Sequence, residues 1–315
     1  MVPDIEPRTY YDRPVLKEPT WKWEIPTYFF TGGLAAGSAL LAGGAELVGE
    51  RVVANRMRAV ASGATVASGV LLVADLGKPA RFHHMLRVAK PSSPMNVGAW
   101  LLGAFGALGT VATTTGALDV LPRVRRAATL GAAALAPMVA TYTAVLVADT
   151  AIPAWHDARA ELPFVFAGGA AASAGAVGVL VLPPASAGPA CVLLVAGAAT
   201  ELAASRVMER RLGTPVREAY ERGRAAWLSR AATASTALGA GVVAVARGRR
   251  VVARAGAVAV VAGALFERFA VVAAGRASAR DPRHVVAPQR AELARETPDR
   301  KKKIGVTQDA ATKFL

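Results

Sequence analysis

Eight runs of about twenty apolar residues, each bounded by charge, recur along this chain, near 26–48, 59–75, 96–117, 128–149, 162–182, 188–207, 226–246 and 252–275. A bilayer core about 30 Å thick is crossed by about 20 residues of helix, so each run predicts a transmembrane helix. A single run would suit a buried helix of a soluble protein; eight in succession do not. The second run is the shortest, and the seventh contains Arg230, which has to snorkel or face a polar interior. The expected fold is an all-α integral membrane protein, an eight-transmembrane-helix bundle built as two four-helix halves. Residues 1–25 are then an N-terminal extramembrane segment, 26–275 the transmembrane domain and 276–315 a basic, flexible tail. The first 25 residues mix both charge signs without an apolar core, and the run that follows is too long for a cleavable signal, so it reads as a retained span.

Composition strengthens this picture. Of 315 residues, 53% are hydrophobic and 19% charged, against roughly 25% charged in soluble domains. Aromatics reach only 6%, which leaves small residues to supply the apolarity and to let membrane helices approach closely. The formal net charge of +15 could suggest nucleic acid, but Lys and Arg lie between apolar runs and in the tail, so membrane topology accounts for them and no nucleic acid is expected as a partner. An even span count brings both termini to one side, with the loops near 76–95, 150–161 and 208–225. That side holds roughly twice the Lys and Arg of the other, which by the positive-inside rule makes it the cytoplasmic face of the cell's inner membrane. From Glu209 to Arg224, Leu212, Val216 and Tyr220 recur at helical spacing among arginines and suggest an amphipathic interfacial helix, or a solvated connector. The run Arg300-Lys301-Lys302-Lys303 suits a tail near anionic membrane lipid, an acidic partner or water alone.

Candidate chemistry is sparse. One cysteine, Cys191, excludes an internal disulfide, a four-cysteine iron–sulfur cluster and a cysteine-rich zinc site. His83, His84, His156 and His284 all fall in predicted loops, whereas a membrane haem needs histidines within its helices, so neither haem nor a resident metal is expected. The pair His83-His84 could bind metal or shuttle protons, but it lacks the i, i+4 spacing of a helical metal pair. No P-loop, GxSxG elbow or HExxH occurs. Ionisable residues within spans are costly and hence functional candidates: Glu46, Asp75, Asp149, Glu201, Arg230, Arg254, Glu267 and Arg268. Glu201, Glu267 and Arg268 lie deepest, where an internal ion pair and proton conduction are equal readings. Gly33 and Gly37 form a GxxxG contact face in the first span. Tyr142, between Thr141 and Thr143, is a phenol that wants a partner: a backbone carbonyl, or the carbonyl of a bound quinone.

Three blocks are distinctive: Tyr28 to Ser38, the loop Asp75-Leu76-Gly77-Lys78-Pro79-Ala80-Arg81-Phe82 with Met85, and the run Lys90 to Trp100. With Tyr142-Thr143, Pro153, Trp155, Leu162-Pro163-Phe164 and the ending from Arg268-Phe269 through Gly275 to Pro288-Gln289-Arg290, they resemble the NrfD/polysulphide-reductase membrane-subunit family. The resemblance implies a haem-free, quinone-interacting subunit that anchors an iron–sulfur, ferredoxin-like subunit and, beyond it, a molybdopterin oxidoreductase. It would not be catalytic alone, and a menaquinone or ubiquinone would be its exchangeable substrate. It carries a quinone-binding role to Tyr142, Asp75, Tyr28 and Glu24. Within the same reading Lys78, Arg81, His83 and His84 are candidates for partner docking, and Glu201, Glu267 and Arg268 for proton transfer. Two features depart from the family pattern: Ala144 stands where a glycine commonly follows the tyrosine pair, and Glu24-Ile25-Pro26 has no nearby His or Asn. The alternatives are a secondary transporter, for which no inverted repeat is visible, and a membrane transferase built on His83/His84 or His156/Asp157.

Overall fold

The computed structural model describes residues 15–246 and 248–287. The chain is an all-helical, multi-pass membrane fold. Its helices are α1 (Glu24–Val48), α2 (Arg51–Asp75), α3 (Pro94–Ala117), α4 (Pro122–Ala148), the short α5 (Pro153–His156), α6 (Leu162–Val181), α7 (Gly188–Arg211), the short α8 (Glu218–Glu221), α9 (Gly223–Val245) and α10 (Arg250–Arg280). The eight long helices are each long and apolar enough to cross a membrane, and there is no strand among the described residues.

Helix ends depart from the hydropathy runs. α2 starts at Arg51, a full two turns ahead of its apolar run, and α10 continues past Gly275 to Arg280. Hydropathy stops at the first charges, but backbone hydrogen bonding carries the helix on into the headgroup region. Prolines sit in the first turn of α3, α4 and α6, where their missing amide would have had no intrahelical acceptor. Gly49, in the left-handed region at φ 80°, terminates α1 and allows α2 to begin two residues later. Arg230 lies exposed on the outer face of α9, the snorkelling arrangement.

Helices α1 to α4 form one half, in which α1 packs on α2 and α4, and α3 packs on α4. Helices α6, α7, α9 and α10 form the other, with close α6–α7 and α9–α10 pairs. The halves join where α1 meets α6. A Cβ at Gly37 would stand 2.4 Å from the carbonyl oxygen of Ala170 and 2.7 Å from the Cβ of Ala174, so the GxxxG face of α1 is what allows the halves to touch. α3 is the most exposed long helix and meets α2 only sparsely.

The face at which α1 begins and α10 ends, the terminal face, is tightly tied together. Glu18 receives two 2.8 Å hydrogen bonds from Arg280, and Arg276 donates to the carbonyl of Trp21. Trp21 stacks on Trp155 at 5.3 Å between ring centroids. Trp155 is fully buried, donates its indole N–H to the carbonyl of Val271 at 2.8 Å, and lies against Gly275, where a Cβ would be only 2.0 Å from the ring. The segment after α7 is not an interfacial amphipathic helix. It turns after Arg211 and only Glu218–Glu221 is helical, while Leu212, Val216 and Tyr220 are buried in the protein. Their apolar side meets the Trp155 region and the end of α10 instead of lipid. The Tyr220 hydroxyl donates to the carbonyl of Ala154 at 3.2 Å, and burial pushes this phenol's pKa up. Glu161 and Arg211 pair at 2.6 Å on the same face. The expectations for Pro288-Gln289-Arg290 and for Arg300 to Lys303 lie outside the described residues.

Candidate functional site

Tyr142 projects from α4 onto α3 at Gly98. A Cβ there would stand 2.5 Å from Cε2 of the ring and 2.7 Å from Cδ2, so only glycine lets the phenol lie where it does. The ring and Leu102 pack against the apolar cluster that contains Tyr28, Phe29 and Ala144. Neither the Tyr142 nor the Tyr28 hydroxyl has a hydrogen-bond partner among the described residues. A phenol in an apolar setting with an unused O–H is suited to a ligand carbonyl.

Glu24 opens α1 and Asp75 closes α2, so the two carboxyl groups come to the same edge of the first half. Asp75 is within electrostatic range of Glu24 and of Lys22, and Oε2 of Glu24 is buried without a hydrogen-bond partner. The structure therefore brings Glu24 and Asp75 to one edge, and packs Tyr142 against the apolar cluster that contains Tyr28, in the half formed by α1 to α4.

The loop after Asp75 is a 3-10 turn over Pro79–Leu86, with Lys78, Arg81, His83 and His84 all exposed. The two imidazoles lie 4.3 Å apart, centroid to centroid. No group of three or more His, Cys, Asp or Glu side chains suited to a metal ion occurs among the described residues. Asn96 and Trp100 fasten the end of this loop: the Asn96 amide donates to the carbonyl of Val88 at 2.7 Å and accepts from the Lys90 amide at 2.6 Å, and the Trp100 indole donates to Val88 at 3.2 Å. The distinctive run from Lys90 to Trp100 thus shapes an exposed basic surface next to the ends of α1 and α2.

In the other half, Glu201 of α7 and Glu267 and Arg268 of α10 are all buried. Arg268 donates to the carbonyl of Phe166 at 3.0 Å and its guanidinium sits 3.9 Å from the centroid of that ring, a cation–π contact. Of the two equal readings, the internal ion pair does not form: neither carboxylate comes within 4.0 Å of Arg268. Both Glu201 oxygens and the Nε and Nη1 of Arg268 are buried without partners. The two side chains meet over Gly169, where a Cβ would stand 2.6 Å from Nη2 of Arg268 and 2.7 Å from Oε1 of Glu201. Buried charge left this way costs several kcal/mol unless water or a proton compensates it.

One buried ion pair is not evident from the apolar runs. Glu46 bonds Arg58 at 2.7 Å, and Arg58 also donates to Thr129 at 3.2 Å. Residue 58 lies just outside the second apolar run, although a lone in-span glutamate is itself the signal that a cation must be close.

Residues 15–189, more than half of the chain, match the family described as polysulphide reductase, NrfD. The chain belongs to this family. Among curated proteins there is no match. At family level this is an NrfD-type membrane subunit of a redox complex. The NrfD match runs from the segment holding Glu18 and Trp21 through α6, so it contains Glu24, Tyr28, Asp75, the loop basics and Tyr142, and it ends before Glu201, Glu267 and Arg268.

Proposed function

We propose that the chain is the quinone-interacting membrane anchor of a multi-subunit oxidoreductase, haem-free and without an iron–sulfur cluster of its own. It would exchange electrons between the quinone pool and an iron–sulfur, ferredoxin-like partner on the terminal face, with a molybdopterin subunit beyond it. The observation that carries this reading is the unpartnered Tyr142 phenol seated against Gly98 in the family-matched half. Reducing a quinone takes two electrons and two protons. The electrons pass through the partner, and this chain's part is to hold the headgroup by Tyr142 and Tyr28 and to hold or pass protons at Glu24 and Asp75. Glu201, Glu267 and Arg268 are a second protonatable set, suited to proton transfer in the other half. The Lys and Arg excess supports a terminal face on the cytoplasmic side of the inner membrane. The rival transporter reading calls for broken helices near the midplane, and the eight long helices are continuous.

Tyr142→Phe keeps the ring and removes only the hydroxyl. A neutral hydrogen bond contributes about 0.5–1.5 kcal/mol net, so quinone-linked turnover in the assembled complex should fall roughly two- to tenfold. Membrane insertion, subunit assembly and the partner's activity with an artificial acceptor should persist. Unchanged quinone kinetics in a fully assembled variant rule the contact out. For docking, replacing both Lys78 and Arg81 by glutamate should release the iron–sulfur partner during purification; its full retention assigns the interface elsewhere.

A further inference from the structure

The face opposite the start of α1 and the end of α10 holds a cavity of about 310 Å³ between the α1–α2 turn and the start of α4, lined by Glu46 and by Arg51, Arg123, Arg125 and Arg126. Two of these charges are already matched inside the protein: Glu46 by Arg58 at 2.7 Å, and Arg125 by Asp119 at 3.2 Å. Arg51, Arg123 and Arg126 are exposed and have no carboxylate partner among the described residues. The first turns of α2 and α4 border the same space, and neither is capped by a side chain, so their amide ends add to the positive field. Three unmatched guanidinium groups around one cavity favour an anion with several oxygens, and the planar guanidinium fork fits phosphate oxygens in pairs.

The surroundings narrow the choice of anion. On the same helix ends Leu47, Val48, Val52, Leu121 and Val124 stand exposed, Val48 at 75% and Leu47 at 61%. The site is thus charged within and apolar beside, at the level where helices leave the hydrocarbon. A free phosphate would use only the charged part, whereas a phospholipid would use both. We propose that this cavity binds the phosphate headgroup of one anionic phospholipid, whose acyl chains cover the neighbouring apolar residues. The lipid clamps the α1–α2 hairpin to α4, the three helices whose opposite ends carry Tyr28, Asp75 and Tyr142.

The test uses the purified full chain, delipidated in an uncharged detergent and examined by native mass spectrometry and thermal unfolding. Added phosphatidylglycerol should bind at one tightly held copy per chain and raise the unfolding temperature by several degrees. Phosphatidylcholine and inorganic phosphate should not. The double variant Arg123→Gln/Arg126→Gln should lose both the bound lipid and the shift, while Arg249→Gln, outside the cavity, should keep them. Should the double variant fail to fold, the exposed single variant Arg126→Gln serves for the same comparison. Equal stabilisation by inorganic phosphate makes this a free-anion site and overturns the lipid assignment. Equal stabilisation by phosphatidylcholine reduces it to general lipid contact, and a phosphatidylglycerol shift that survives the cavity variants places the lipid elsewhere; either result overturns the proposal.

Discussion

Gly37→Leu should prevent the two halves from closing, and most of the membrane-inserted protein should aggregate on extraction instead of eluting as a single species. The reason is geometric: the added side chain would begin 2.4 Å from a backbone oxygen of α6, and backbone cannot swing aside as a flexible side chain does. Overpacking a close contact costs about 1–3 kcal/mol when neighbours can adjust. With backbone as the obstacle and a leucine to house, the cost should reach at least the top of that range, a large fraction of a typical folding stability. Gly44→Leu is the matched control, because it lies on the same helix with nothing within 4 Å of its would-be Cβ. It should be silent or slightly stabilising, as glycine is the poorer helix former by about 1 kcal/mol relative to alanine. Equal extraction profiles and unfolding temperatures for the two variants would falsify the assignment of the α1–α6 seam.

The second large effect is expected at Gly98. Gly98→Val places methyl groups where the Tyr142 ring lies, so the phenol must leave its position although its hydroxyl remains. If the proposed quinone site is right, quinone-linked turnover should drop by more than tenfold, exceeding the loss in Tyr142→Phe, because the headgroup would lose its hydrogen bond and the displaced ring would enter the space it needs. Insertion should be normal, as α3 is largely exposed and loosely held by α2. Combining the two substitutions provides the check. If both act through the phenol, the double variant should be little worse than Gly98→Val alone; strictly additive losses mean that the valine acts by another route.

The number and order of spans were legible in the sequence because transfer of apolar residues into hydrocarbon dominates the energetics, and that term is nearly local. The ends of α2 and α10 were not, since backbone hydrogen bonding continues where hydropathy has ended. Gly33 and Gly37 announced a contact face but not its partner, which is Ala170 on a helix of the other half. The apolar pattern of Leu212, Val216 and Tyr220 was equally real, yet it could not say whether lipid or protein would cover it; the buried Trp155 region does. For the candidate site, residue types pointed to Tyr142 and to the Glu201, Glu267 and Arg268 set. The fit of a phenol against Gly98, and the gap between Arg268 and its would-be counterions, depend on helix rotations of a few tens of degrees that no one-dimensional pattern records.

The bonds from Glu18 to Arg280 and the stack of Trp21 on Trp155 have a consequence for biogenesis. Glu18 is synthesised before the first helix and Arg280 closes the last membrane-length helix, so these contacts cannot exist on the ribosome until α10 has been made and inserted. Until then Trp155 lacks both the Val271 carbonyl that accepts its indole N–H and the Gly275 surface on which it rests. A nascent or truncated chain therefore presents a terminal face without its finished surface, and the proposed soluble partner would meet that face only once translation of the membrane domain is complete.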